Sequence, residues 1–235
     1  MARVRGEKSS LDSATRQFTD RTNYIEAFWN AYKNITPDDT MVLVYYGIGG
    51  IGKTRLRKEL MKQIKANTNS ITAVVDFEQN EHQDVGSALL QLRKQLKENN
   101  DINFALFDFI YTAYLKANKP EMPISNKNLP FIEEGDALYE IISTASDLPY
   151  AGFVAKTASF INKIYFNIKS HTVQKRVESI VDISNLEPIE IKKLLPEFFA
   201  LSINESMENK EDYVPIVIFF DTYEALNSEI GSPYR

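Results

Sequence analysis

Hydrophobic residues gather in three short runs along the chain, and amphipathic patterns separate them. The runs are Met41–Tyr46, Ile71–Phe77 and Val214–Phe220, each rich in β-branched and aromatic residues, as is typical of buried strands. Helical spacing of apolar residues predicts helices over Lys53–Ala66 and Val85–Glu98. Strands that alternate with helices need crossover connections, so the sequence predicts an α/β fold with a parallel sheet.

A further helix is predicted before the first run. Apolar side chains recur at helical spacing between Arg16 and Asn34, and Asp20 or Thr22 is suitably placed to cap its start. Residues 1–15 are polar and mixed in charge, without the apolar core of a signal peptide. We expect this segment to be a flexible leader.

The interval between the second and third runs is long and mainly helical. Phe104, Phe107, Tyr111 and Tyr114 share one face of a predicted helix, which favours packing in a core. The helices predicted in this interval cover Asp101–Asn118, Asp136–Ala145, Val154–Ile168 and Pro188–Ser206. The apolar spacing within Val154–Ile168 suits either internal packing or a partner surface. We therefore predict an α/β core from residues 16–78 and 213–235, with residues 79–212 as a helical insertion or lid.

Composition removes several classes of site. The 235 residues are 43% hydrophobic and 25% charged, and the absence of cysteine excludes disulfides, thiolate metal sites and cysteine nucleophiles. Two distant histidines, His82 and His171, make a histidine-rich metal site improbable. The net charge of −5 argues against general nucleic-acid binding, and without an apolar segment of membrane-spanning length we expect a cytoplasmic protein.

One motif points directly to phosphate chemistry. Residues 47–54 read GIGGIGKT, which fits the pattern G-x-x-x-x-G-K-[ST] between a predicted strand and a predicted helix. Glycines allow the backbone to turn its N–H groups toward an anion, and the following helix N-terminus adds partial positive charge. Lys53 would reach the β- and γ-phosphates, and the Thr54 hydroxyl would coordinate Mg²⁺. The residues that we expect to contact nucleotide here are Gly47, Ile48, Gly49, Gly50, Ile51, Gly52, Lys53, Thr54 and Arg55.

The third apolar run supplies the acidic part of such a site. It leads into Asp221-Thr222-Tyr223-Glu224, and a carboxylate at the end of a buried strand suits the metal side of a nucleotide site. Asp221 is our candidate for the metal, and Glu224 for orienting or deprotonating an attacking water. The alternative is that Asp221 only ends the strand and Glu224 only opens a helix.

Together these residues resemble the STAND class of P-loop NTPases, which includes the NACHT and NB-ARC groups. GIGGIGKT matches the Walker A loop of that class, and Asp221, Thr222 and Glu224 are similar to its Walker B ending. Phe18-Thr19-Asp20-Arg21 resembles an entry segment that lies near the adenine in that class. The resemblance implies ATP or ADP with Mg²⁺ as ligands and Arg21 as a contact to the base or ribose. The alternative for Arg21 is a solvated side chain.

The chain departs from this class after the Walker B segment. The class has the sheet order 5-1-4-3-2, and no later run supplies the fourth and fifth strands before Arg235. We therefore expect a fragment of a larger protein, which associates with itself or with further domains of that protein and has weak or absent ATP turnover. The resemblance implies a regulatory ATPase that switches assembly, and the alternative is a nucleotide-binding scaffold that does not hydrolyse ATP.

The basic residues Arg55, Lys58, Lys62 and Lys65 form one stripe of the helix after the loop. A solvated charged face is the favoured interpretation, and a track along a nucleic-acid backbone is the alternative.

Overall fold

The computed structural model divides the chain into two compact units, residues 1–52 and residues 53–235. The structure describes residues 21–37, 39–98, 102–121, 129, 139, 145, 148–165, 186–208 and 214–227. The leader, the segment Phe18–Asp20, most of the predicted Asp136–Ala145 helix and the end of the predicted Val154–Ile168 helix lie outside these ranges.

The first unit contains helix α1, Thr22–Asn34. Phe28 is its buried residue, and its ring lies 5.4 Å from that of Trp29. The expectation that Asp20 or Thr22 caps the helix is wrong for Thr22, because Arg21 is the N-cap residue and makes no capping hydrogen bond through its side chain. Asp20 lies outside the described ranges.

The predicted strand Met41–Tyr46 also belongs to the first unit, and this prediction is wrong. The segment has no strand partner among the described residues, and Val42, Val44 and Tyr46 are 78%, 73% and 92% exposed. Tyr45 is the residue that ties it to α1, since its hydroxyl donates to the Tyr24 carbonyl at 2.9 Å. A strand buried on both faces needs a hydrogen-bonded neighbour at each edge, and its apolar pattern alone does not supply one.

The second unit holds the sheet and most of the helices. In chain order the helices are α2 Lys53–Asn67, α3 Val85–Lys97, α4 Ala105–Asn118, α5 Tyr150–Tyr165 and α6 Pro188–Glu208, and the strands are β1 Ile71–Asp76 and β2 Ile216–Asp221. Short 3₁₀ turns occupy Asn80–Gln83 and Tyr223–Asn227. The predicted second and third strands and these helices are confirmed, with ends that differ by a few residues. Of the helices in the described ranges, none combines the length and apolar character needed to cross a bilayer.

The strands β1 and β2 run parallel, in a register that pairs Ile71 with Ile216 and Asp76 with Asp221. The fold is therefore mixed α/β with a parallel pair of strands, as predicted. Along β1 the side chains alternate between buried and half-buried, so one face of the strand packs into the core.

The side chain of Gln95 on α3 covers the outer edge of β1. Its Oε1 accepts from the Val74 N–H at 3.0 Å, and its Nε2 donates to the Val74 carbonyl at 2.8 Å. An open edge strand leaves such groups to water or to another chain. Gln95 therefore satisfies the outward backbone groups of Val74, so another strand cannot pair with β1 at this residue.

The hydrophobic core lies between β1 and the helices α3, α4, α5 and α6. Helix α3 packs on β1, and α4 contacts both α5 and α6. The aromatic face predicted for α4 is confirmed as core, because Phe104 and Phe107 are buried and both rings lie 5.3 Å from that of Phe199 on α6. Inside this core, Arg93 donates through Nε and Nη2 to the two carboxylate oxygens of Asp108, at 2.8 and 2.6 Å.

Candidate functional site

The glycines of the phosphate motif lie in the first unit. Gly50 and Gly52 have φ angles of 77° and 93°, a left-handed backbone that residues with a Cβ rarely adopt. The Ile51 N–H donates to the Ile48 carbonyl at 3.4 Å and closes a turn between these residues. The motif therefore uses two of its glycines for the backbone freedom that only glycine supplies at low cost.

Arg21 lies against this glycine loop, within the same unit. Its guanidinium donates through Nη2 to the Ile51 carbonyl and lies 5.7 Å from the centroid of the Tyr24 ring. The structure thus places Arg21 on the glycine loop, and its predicted contact to the base or ribose stays a prediction. Thr19 and Asp20 of the same entry segment lie outside the described residues.

Polar side chains gather in the second unit where β2 ends. We call Lys53, Thr54, Arg57, Asp221 and Glu224 the strand-end cluster. The first three stand on the opening turns of α2, which contacts β2. Asp221 is the last residue of β2, and Glu224 lies in the 3₁₀ turn that follows it. The carboxyl ends of parallel strands are where α/β proteins place ligand-binding groups.

Asp221 is the centre of the cluster. Its Oδ1 accepts from the Thr54 hydroxyl at 3.2 Å and from the Thr222 N–H at 3.1 Å, and its Oδ2 accepts from Arg57 Nε at 2.8 Å. The residue is buried, with 6% of its surface exposed. A buried carboxylate is tolerated when it is paired and hydrogen-bonded, and Asp221 meets both conditions.

The second contact in the cluster joins Lys53 and Glu224. Lys53 Nζ lies 3.4 Å from Glu224 Oε1, with the two side chains 23% and 63% exposed. An ion pair whose carboxylate is exposed to water contributes little to stability. The structure therefore brings together four residues that the sequence analysis selected, in two pairs: Thr54 with Asp221, and Lys53 with Glu224.

Thr54 and Asp221 offer the oxygen ligands that Mg²⁺ prefers. Neighbouring ligands of an octahedral Mg²⁺ lie about 2.9 Å apart, given metal–oxygen distances of about 2.1 Å. The 3.2 Å between Thr54 Oγ1 and Asp221 Oδ1 fits such a pair. Within the described ranges, no group of three or more histidine and carboxylate side chains is assembled that could hold a metal ion.

Two features of this cluster were not predicted from the sequence. Arg57 was not selected, although it stands three residues after Thr54 and therefore on the same face of α2. Thr222 has a φ of 55°, which is strained for a β-branched residue and turns its N–H toward Asp221. The three-residue spacing between Thr54 and Arg57 on a predicted helix could have identified Arg57. The sequence carries no signal for the strain at Thr222.

The basic stripe on α2 lies apart from these contacts. Arg55, Lys58, Lys62 and Lys65 are all exposed, which agrees with a solvated charged face. The nucleotide contact predicted for Arg55 stays a prediction.

Comparisons with known proteins do not assign this chain to a family. No protein-family model matches it, and neither the curated proteins nor the solved structures contain a match.

Proposed function

We propose that the chain is the ATP-binding module of a regulatory P-loop NTPase of the STAND type, which binds ATP with Mg²⁺ and hydrolyses it slowly. The observation that carries the proposal is the hydrogen bond between Thr54 and Asp221. These residues are 167 positions apart in the sequence. Thr54 was selected for the metal from the glycine motif, and Asp221 from its place at the end of a predicted strand. A motif that matched by chance would give no reason for this threonine to meet a strand-end carboxylate.

Each residue has a role in this proposal. The glycine loop and Lys53 bind the phosphates, since backbone N–H groups and an ammonium suit a polyanion. Thr54 and Asp221 would hold Mg²⁺, which would neutralise phosphate charge. Glu224 orients the attacking water, and Arg21 contacts the base or ribose. Slow hydrolysis would reset a switch between assembly states.

The direct test is ligand-dependent thermal stabilisation with the variant Lys53→Ala. A ligand at a hundred times its Kd stabilises the folded state by about 2.7 kcal/mol. For a chain of this size we expect ATP with Mg²⁺ to raise the wild-type Tm by about 5–10 °C. Lys53→Ala should lose this rise and stay close to its wild-type ligand-free Tm, because an ion pair with an exposed carboxylate contributes little to stability.

The matched control is Lys62→Ala, which removes an exposed lysine from the same helix. This variant should keep the full ATP-dependent rise in Tm. An equal rise in the wild type and in Lys53→Ala, or no rise in the wild type, would overturn the proposal.

A nucleotide-binding scaffold without hydrolysis is the second candidate, and the pairing of Lys53 with Glu224 favours it. A carboxylate held by the phosphate-binding lysine is not free to act on water until the two separate. Phosphate release by the wild type and by Glu224→Gln separates the candidates. A rate that falls in the variant supports the ATPase, whereas equal background rates with intact ATP binding support the scaffold.

A further inference from the structure

Arg57 lies three residues beyond the end of the glycine motif, which assigns it no role. It is largely buried, with 15% of its side chain exposed, and its Nε donates to Asp221 Oδ2 at 2.8 Å. Its Nη1 also donates to Met61 Sδ, at 3.2 Å, one turn further along α2. The guanidinium is thus fixed on both sides, and it is not one of the mobile charges of the helix surface.

The two oxygens of Asp221 have different partners. Arg57 takes Oδ2, while the Thr54 hydroxyl and the Thr222 N–H take Oδ1. Because a carboxylate is planar, fixing Oδ2 also fixes the direction of Oδ1. Arg57 therefore holds toward Thr54 the oxygen that we have assigned to the metal.

The charge balance at Asp221 also indicates a special role for Arg57. Asp221 is buried, and an unpaired buried carboxylate is strongly destabilising. In the structure the compensating positive charge on Asp221 comes from Arg57, on the same helical face as Thr54. A divalent cation between Thr54 and Asp221 would bring positive charge to the same carboxylate.

We propose that Arg57 is a positioning residue for Asp221 and its built-in counter-charge, which takes the place of a divalent cation while no nucleotide is bound. The proposal rests on the proposed function, because it uses Thr54 and Asp221 as the metal pair. It goes beyond that function in naming the residue that orients the pair and lets the site fold without metal.

The experiment compares Tm values without nucleotide, in EDTA and in millimolar MgCl₂. The wild type should respond to MgCl₂ by no more than about 1 °C, because Arg57 already compensates Asp221. Arg57→Gln should lose about 10 °C in EDTA and recover a large part of that loss in MgCl₂. Arg57→Lys, which keeps the charge, should stay close to the wild type.

Two controls separate this role from ordinary packing. Arg93→Gln breaks the buried arginine–aspartate pair of the helical core and should be destabilised equally in EDTA and in MgCl₂. The double variant Arg57→Gln/Asp221→Asn removes both charges, so it should regain stability in EDTA and ignore MgCl₂. This double variant also decides the case if Arg57→Gln alone does not fold.

The proposal is overturned if Arg57→Gln equals the wild type in EDTA, or if MgCl₂ does not restore any of its loss. A double variant as unstable as Arg57→Gln would also overturn it, because charge would then not be the cause. Failure of the proposed function is a different result: the wild type would show no ATP-dependent rise in Tm. If the wild type binds ATP but the Tm of Arg57→Gln does not respond to MgCl₂, the role proposed for Arg57 is wrong and the proposed function still stands.

Discussion

The helical core and the strand-end cluster each contain an arginine–aspartate ion pair, and the two pairs differ in burial and in how the arginine binds the carboxylate. Arg93 binds both oxygens of Asp108, and its guanidinium carbon lies 5.8 Å from the centroid of the Phe104 ring. Arg57 takes a single oxygen of Asp221 and leaves the other to a hydroxyl and a backbone N–H. Both members of the first pair are buried in the helical core, whereas Arg57 of the second keeps 15% of its side chain exposed.

The arginine–aspartate pair of the helical core therefore serves stability, whereas the pair of the strand-end cluster orients Asp221. A bidentate pair uses both carboxylate oxygens, so Asp108 is committed to Arg93. A pair made through one oxygen leaves the other for a second partner, as at Asp221. This difference predicts that variants in the helical core change stability, and that variants in the cluster change the response to ligands.

The largest effect is expected for Arg93→Gln. Breaking a buried pair leaves an uncompensated carboxylate and typically costs about 3–5 kcal/mol. Urea unfolding should show a loss of this size, with a slope close to that of the wild type. The ATP-dependent rise in Tm should persist in this variant where its folded state is populated. A loss below about 1 kcal/mol would contradict the role given to this pair.

The next effect concerns the edge of β1. Gln95→Met keeps the length of the side chain and removes both hydrogen bonds to Val74, which should cost about 1–3 kcal/mol. Lys94→Met is the matched control, because Lys94 is exposed on the same helix. Urea unfolding of the two variants measures the difference. Equal stabilities would show that water replaces Gln95 at this edge without penalty.

The elements that were predicted correctly from sequence depend on short-range patterns. Ile71–Phe77 alternates into the core as a strand, and the apolar spacing of Leu56, Leu60 and Ile64 is buried in α2. The strand prediction for Met41–Tyr46 was wrong because an apolar pattern shows that a segment could be buried but does not show which strands would pair with it. A pattern along the chain describes what one element can bury, while the partner depends on the rest of the fold.

The candidate site divides in the same way. Thr54 and Asp221 were predicted from the motif and from the end of a strand, and the structure brings them together. The contact from Arg57 depends on which face of α2 meets β2, and the strain at Thr222 depends on how the chain leaves the strand. Neither property follows from residue types at short range, so neither can be predicted without knowing the fold.

A smaller effect is expected at Thr222. A left-handed backbone costs a residue with a Cβ about 1–2 kcal/mol, and glycine avoids this cost but has a larger entropy loss on folding. Thr222→Gly should therefore stabilise the chain by at most about 1 kcal/mol, while Thr222→Ala should not. Urea unfolding of both variants measures this difference. Equal stabilities of the glycine and alanine variants would contradict strain at this position.

The smallest effect concerns the rim of the helical core, where Asp84 caps α3. Its Oδ1 accepts from the Ser87 N–H at 3.3 Å, and its Oδ2 accepts from Lys192 on α6. Partial burial opposes the charged form of Asp84, but the bonds from Lys192 and Ser87 outweigh it and hold the pKa below its usual 3.8. Donating this hydrogen bond to Asp84 in turn raises the pKa of Lys192 above 10.5.

This pair predicts a pH dependence of defined sign. Because the folded pKa of Asp84 is lowered, its contribution to stability is complete above pH 3.8 and is lost as the pH falls below that value. The gap between the free energies of unfolding of the wild type and of Lys192→Met should stay within about 1 kcal/mol near neutral pH and close in acid. Lys193→Met, which removes an exposed neighbour, should show no such closing gap. A gap between the wild type and Lys192→Met that widens in acid would mean that the lysine does not stabilise the ionised form of Asp84.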